Sequence, residues 1–181
     1  MNEFERSVEA AVLLEVHERA LKRRLSRDAF DSMAKRGLVA LPVEGKGGQP
    51  VYTLGHHLKL GLARHLMDLG LDEVSDRVLA GAAMKATLLV GERFRRGVPI
   101  TSLALVIARA MAGRWQVACI QSGAPDVVTT AMIEESARSS SEAFLVKLDL
   151  VQVANTLLDA WVDHCADRAT MGTLDRSGPS S

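Results

Sequence analysis

Little in this sequence belongs to a secreted or membrane-bound protein. Only two cysteines, Cys119 and Cys165, occur in 181 residues, which excludes a disulfide-built scaffold and indicates a reducing compartment. Apolar runs such as Ser102–Ala108 and Leu148–Val151 are short, whereas a helix spanning a bilayer needs about 20 apolar residues. The opening Met1-Asn2-Glu3-Phe4-Glu5-Arg6 carries acids and no apolar core, so no secretory signal is expected. Neither charge sign is in excess, with 22 Lys and Arg against 22 Asp and Glu. Catalytic patterns are also missing. There is no nucleophile–base–orienter set and no suitably placed acid pair. Gly45-Lys46-Gly47-Gly48 lacks the following Ser or Thr and the helix that a phosphate-binding loop requires. The expectation is a cytoplasmic protein that is not an enzyme, has no cofactor or metal, and contacts no membrane.

What is present fits an ordinary globular chain, 48% apolar and 24% charged, long enough for one medium domain or two small ones. The neutral total hides an asymmetry. From Val16 to Arg64 there are ten basic residues and four acidic ones, a local net of +6, which leaves −6 elsewhere. A basic segment in a neutral chain hints at a nucleic-acid face, although a charge run is more often simply solvated.

Periodicity predicts a mainly α fold with small β elements (α+β). Ser7 to about Leu25 reads as one helix or two. Ser26 can cap a second helix that stops at Gly37. Leu38–Tyr52, punctuated by Pro42, Gly45-Lys46-Gly47-Gly48 and Pro50, reads as a hairpin with a basic tip. Thr53 can cap a helix carrying Leu58, Leu62, Leu66 and Leu69 on one face and ending at Gly70. Asp72 can cap the next, from Glu73 to about Arg96. Beyond Gly97-Val98-Pro99, a short buried helix is expected with Leu103, Ile107 and Met111 in line and Thr101 or Ser102 as its cap. Strands are expected at Trp115–Ile120, Val127–Ile133 and Phe144–Leu148, the last alternating as a half-buried strand does. Asp149 can cap a final helix with Val153, Leu157, Trp161 and His164 or Cys165 on its inner face. Gly172–Ser181 reads as a disordered tail.

The order helix, turn, helix, hairpin, helix is what a winged helix-turn-helix uses to place one helix in the major groove. Ser26, Ala29, Phe30, Met33, Gly37 and Leu38 fall at the spacings of the second helix of MerR-type regulators. Val16 and Ala20 stand at the core positions of that family's first helix. Tyr52 opens a segment that reaches Gly70-Leu71 at the family's distance, with Leu58, Leu60, Leu66 and Leu69 between them. The chain therefore resembles the MerR family over about sixty residues. It departs from the pattern at Asp31, where the family has Arg, and at Met33, Pro50 and Arg24.

The resemblance implies a bacterial, nucleoid-associated regulator of transcription that binds double-stranded DNA as a homodimer, with any small-molecule effector unspecified. Ser26, Arg27, Asp28, Asp31 and Lys35 are candidates for the groove face. Arg23, Arg24, Lys46 and Gln49 are candidates for backbone contacts beside it. The expected organisation is an arm over 1–15, the winged unit over 16–79 and a helical connector over 80–112. A small α+β dimerisation or sensor unit over 113–170 and a tail over 171–181 complete it. In that unit, a sheet face and the one-sided last helix would be covered by a second copy. His57 and His65 share a helix face, but Gly61 occupies the intervening position, so the close pair favoured by zinc is missing. Cys119 and Cys165 are more plausibly packing than a thiol or metal sensor. Two other readings stay open: a phage or mobile-element DNA-binding protein (an excisionase or small packaging subunit), and a protein-interaction module.

Overall fold

In the computed structural model, which describes residues 7–70, 74–109, 115–120 and 144–174, Ser26 starts a helix as expected. Its Oγ accepts from the Ala29 N–H at 3.2 Å, satisfying one of the donors that a helix N-terminus leaves open. That helix is α2 (Arg27–Lys35), and it buries Phe30 and Met33. Gly37 then takes a left-handed φ of 75°, which lets the Leu38 N–H return to the Met33 carbonyl and turns the chain away.

The preceding helix is shorter than its periodicity suggests. β1 (Ser7–Val8) is extended and pairs antiparallel with Tyr52 and Thr53, and α1 spans Ala10–Leu21. Pairing buries Val8 and gives its backbone partners that a further helical turn would not supply. At the other end Lys22, left-handed at φ 53°, closes α1 so that Leu25 can enter the core.

The expected hairpin is present as β2 (Val43–Glu44) and β3 (Pro50–Thr53), joined by a single 3₁₀ turn at Lys46–Gly48. With β1 it forms a three-stranded antiparallel sheet in the order β1-β3-β2. The turn closes through the Gly45 N–H on the Gln49 carbonyl at 2.8 Å. α3 (Leu54–Asp68) follows directly. Its start is a capping box in which the Thr53 N–H donates to His56 Nδ1 at 3.0 Å, imidazole replacing the usual carboxylate. His56 Nε2 in turn reaches the Leu41 carbonyl at 2.7 Å. α4 (Asp76–Arg95) starts after Ser75 rather than after Asp72, which lies outside the described residues.

The helix expected from Thr101 or Ser102 to Met111 is instead strand β4 (Ala104–Arg109). Leu103 and Ile107 satisfy a helical spacing, but Leu103, Leu105 and Ile107 satisfy a strand spacing equally well, and all three are buried. Adjacent β-branched Val106 and Ile107 favour the strand. β5 (Trp115–Ile120) and β6 (Phe144–Asp149) flank it antiparallel, in the order β5-β4-β6. The sheet thus takes its central strand from the segment expected to be a helical connector. Register sets Leu148 opposite Leu105 and Val146 opposite Ile107. The expected strand at Val127–Ile133 lies outside the described residues.

Asp149 Oδ1 accepts from the Val151 N–H at 2.9 Å and opens α5 (Val151–Leu174), which continues past the start of the expected tail. α5 lies against α1 and α3, and Val153, Leu157, Trp161, His164 and Cys165 on its inner face are all buried. At roughly 1.5–3 kcal/mol for each large apolar side chain removed from water, this face is a major part of the core. The chain's own helices cover it, and one apolar cluster runs from Val8 to Cys165 through both halves. Among the described residues, no helix is long and apolar enough to cross a membrane.

Candidate nucleic-acid interface

Burial of Phe30 and Met33 fixes which way α2 faces. At 100° per residue, Asp28, Asp31 and Lys35 fall on the side away from that apolar pair and Arg27 on its flank beside Phe30; Arg27, Asp28 and Lys35 are exposed while Asp31 is half-buried. Ser26 stands at the head of this face. Its oxygen is engaged as the cap, and its hydroxyl proton remains available to donate. Three of the five groove-face candidates therefore share one helix side, with Arg27 on its flank and Ser26 at its end.

The four flanking candidates behave differently from one another. Lys46 and Gln49 are exposed at the hairpin turn, where Gly47 and Gly48 both have left-handed φ. Arg24 is exposed between α1 and α2 with no partner among the described residues. Arg23 is held: its guanidinium meets Asp68 of α3 at 2.8 Å.

Asp68 exemplifies a wider pattern, since acids from outside the basic segment neutralise part of it. Asp68 also meets Arg64 at 3.3 Å, Asp167 of α5 meets Arg19 at 3.3 Å, and Asp76 of α4 makes a two-pronged pair with Arg36, one arm of it 2.8 Å long. That pair raises the Arg36 pKa and lowers that of Asp76 through their shared hydrogen bonds. Lys59 is largely buried and donates to the Gly37 carbonyl at 3.1 Å, where it satisfies the C-terminus of α2; burial lowers its pKa. Lys22, Arg24, Lys35 and Lys46 keep exposed charges without a partner among the described residues.

A second cluster, of histidines, was not evident from the sequence. His17, His57 and His164 are buried where α1, α3 and α5 meet. The His17 and His57 rings meet edge to face at 6.3 Å, and His57 stacks on Trp161 at 5.7 Å. His57 Nε2 donates to the Leu157 carbonyl at 3.1 Å, whereas His17 Nδ1, His57 Nδ1 and His164 Nε2 have no partner among the described residues. Desolvation lowers the His17 pKa to about 4, with Arg64 adding to the shift and Asp68 opposing it. His57 is lowered to about 3, again chiefly by burial, with His17 and His164 adding to it. The rings are therefore neutral near pH 7. The signal was available: His17 falls between Leu13 and Ala20 on the apolar stripe of α1. His65, lowered in pKa by burial, lines a different hollow of about 340 Å³ with Ala20, Leu21, Asp149, Gln152, Val153 and Thr156.

Among the described residues, no three His, Cys, Asp or Glu side chains are placed to hold a metal ion. Cys165 is buried on α5, and the Cys119 side chain lies outside the described residues. In comparisons with known proteins, no family model matches the chain and no curated protein is significantly similar to it.

Proposed function

We propose that the chain is a regulator that binds double-stranded DNA, with α1, α2, the β2–β3 hairpin and α3 forming a winged helix-turn-helix like that of MerR-type proteins. The carrying observation is α2 itself. It is a short helix locked into the core by Phe30 and Met33, and its outer side bears Asp28, Asp31 and Lys35, with Arg27 on the flank. A helix of this kind enters the major groove, and exposed Lys46 and Gln49 at the hairpin turn contact the adjacent backbone.

The test is a salt titration of full-length protein on duplex DNA. Each phosphate contact contributes a log–log slope of about −0.9. The double variant Arg24→Ala/Lys46→Ala should therefore flatten the slope by about 1.8, and Arg23→Ala by less, because Asp68 already holds that side chain. An unchanged slope in the double variant refutes the assignment.

The working unit is a homodimer, since one winged domain makes too few contacts to find a site among a genome's competitors. The face of α5 is covered internally, so the support for pairing comes from α4. Its outer side exposes Met84 (37%) and Leu88 (60%). An antiparallel second copy can set Arg77 opposite Glu92 and Leu88 opposite Gly81, and each of these pairings then occurs twice. The DNA site is then an inverted repeat with half-sites about one helical turn, or a small multiple, apart.

A second reading, a protein-interaction module, draws on the neutralised arginines Arg19, Arg23, Arg36 and Arg64. Failure to bind any duplex at low salt would favour it.

A further inference from the structure

Arg27 is the first residue of α2, and Asp31 follows it by one turn. Both oxygens of the Asp31 carboxylate face the same nitrogen, Arg27 Nε, at 3.2 and 3.4 Å. The guanidinium carbon stands 5.5 Å from the centre of the Phe30 ring. Phe30 is itself held edge to face by Tyr52 at 5.7 Å, and Tyr52 by His56 at 5.5 Å. His56 is anchored at both ring nitrogens, to Thr53 and to the Leu41 carbonyl. The Arg27 side chain is thus fixed along one edge by a carboxylate and steadied by a ring that the core holds still. Its two terminal nitrogens have no partner among the described residues, and the side chain is 57% exposed.

Helix stability does not explain this pair. A cation in the first turn opposes the helix dipole, and a pair with the basic residue N-terminal to the acid is the weaker order. What the pair achieves is geometric. An arginine engaged at Nε presents a flat fork of two N–H-bearing nitrogens, and that fork matches the paired N7 and O6 acceptors of guanine on the major-groove edge.

We infer that Arg27 reads a guanine through its two terminal nitrogens and that Asp31 is the positioning residue that aims it. This inference rests on the duplex-binding reading above. It also changes the part played by Asp31, which the sequence offered as one of the groove-face candidates. With its carboxylate turned onto Arg27, Asp31 restricts the arginine and repels any phosphate that would compete for it.

Full-length protein selects duplexes from a random library, and each guanine of the selected site is then replaced in turn by 7-deazaguanine, which lacks the N7 acceptor. At one position per half-site the replacement should weaken wild-type binding roughly 10- to 100-fold and leave Arg27→Ala indifferent. Arg27→Lys should restore non-specific affinity but not the sensitivity to 7-deazaguanine. Asp31→Ala should divide the two properties, lowering discrimination at that position while raising affinity for unrelated duplexes. If Arg27→Ala weakens every sequence equally, Arg27 is a phosphate contact and the inference fails alone. If Asp31→Ala leaves discrimination intact, Asp31 positions nothing. Absence of any duplex binding by the wild type overturns the regulator reading and this inference with it.

Discussion

Gly61 lies in the middle of α3, where glycine is normally a defect. Replacing an interior helical glycine with alanine usually stabilises by about 1 kcal/mol, because alanine loses less backbone entropy on folding. Here a β-carbon would overlap Leu157 Cδ2 and stand 2.6 Å from Cδ1 and 3.0 Å from Cγ. Leu157 is fully buried in α5: turning it about Cβ–Cγ leaves Cγ in place, and swinging the whole side chain about Cα–Cβ would drive it into the surrounding core. Overpacking of this kind costs about 1–3 kcal/mol, and more where backbone must move. The contact is severe enough for the upper end, so Gly61→Ala should destabilise by a net of about 2 kcal/mol after the propensity gain is subtracted. With a urea m-value of about 2 kcal/mol/M, the unfolding midpoint should fall by roughly 1 M. Gly81 of α4 is the control, since a β-carbon there meets nothing of its own chain within 4 Å, and both variants are compared in a Leu88→Glu background so that the proposed seam plays no part. Gly81→Ala should raise the midpoint. Leu157→Ala alone should lower it by opening a cavity, but Gly61→Ala/Leu157→Ala should lose much less than the sum of the two singles, a coupling that only direct contact produces. If Gly61→Ala stabilises as Gly81→Ala does, α3 and α5 do not pack at this point.

Other outcomes follow from the same structure. His17 and His57 have folded pKa values of about 4 and about 3, below the unfolded value of about 6.5. The unfolded chain therefore binds more protons between these limits. Stability is fully present above pH 6.5 and declines as pH falls towards the folded values, and urea midpoints of His57→Leu should depend less on pH over that range than those of wild type. Asp76→Asn should cost under about 1 kcal/mol, since the Arg36–Asp76 pair is solvent-exposed; a larger loss in chemical denaturation would show that it does more than orient α2 on α4. Leu88→Glu should convert a dimer to monomer in sedimentation without shifting the urea midpoint of the monomer. Arg77→Glu and Glu92→Arg should each weaken the dimer, and the double reversal should restore it; dimers unaffected by all of these place the seam elsewhere.

The first half of the fold was legible because each boundary carries its own chemistry. The Ser26 cap, the left-handed Gly37, the glycines of the hairpin turn and the Thr53 start are local devices, and a sequence displays local devices directly. The second half depends on partners distant in sequence. Thr101–Arg109 fits a helix or a strand taken alone, and only pairing with β5 and β6 decides it. The inner face of α5 was visible as a stripe, but what covers it was not, because α1 lies about 140 residues earlier in the chain. For the candidate interface, sequence supplied which residues lie on α2. It could not show that Asp31 turns onto Arg27, that Asp68 holds Arg23, or that acids beyond the basic segment neutralise much of its charge. The histidine cluster was hidden for a related reason: His57 and His164 were each visible on a helix of their own, and only the meeting of three helices brings them together with His17.

The position of α5 has a consequence for how the chain is made. Gly61 and Leu157 touch, and His57 bonds the Leu157 carbonyl, across about a hundred residues. At a synthesis rate of about 5–20 residues per second, the groove on α3 is open for roughly 5 to 20 s before its occupant leaves the ribosome. During that interval His57 and Gly61 lack the cover that Leu157 will give them, while the capped helices and the hairpin can already form. Contacts this distant also slow folding after release, because a long loop must close before any of them forms. The helix that reads DNA in the proposed function is among the first elements synthesised, and its own anchors, Tyr52 on Phe30 and His56 on Tyr52, follow soon after it in the chain. A ribosome that stalls before Val151 leaves a segment already shaped for its task but still open to capture by chaperones.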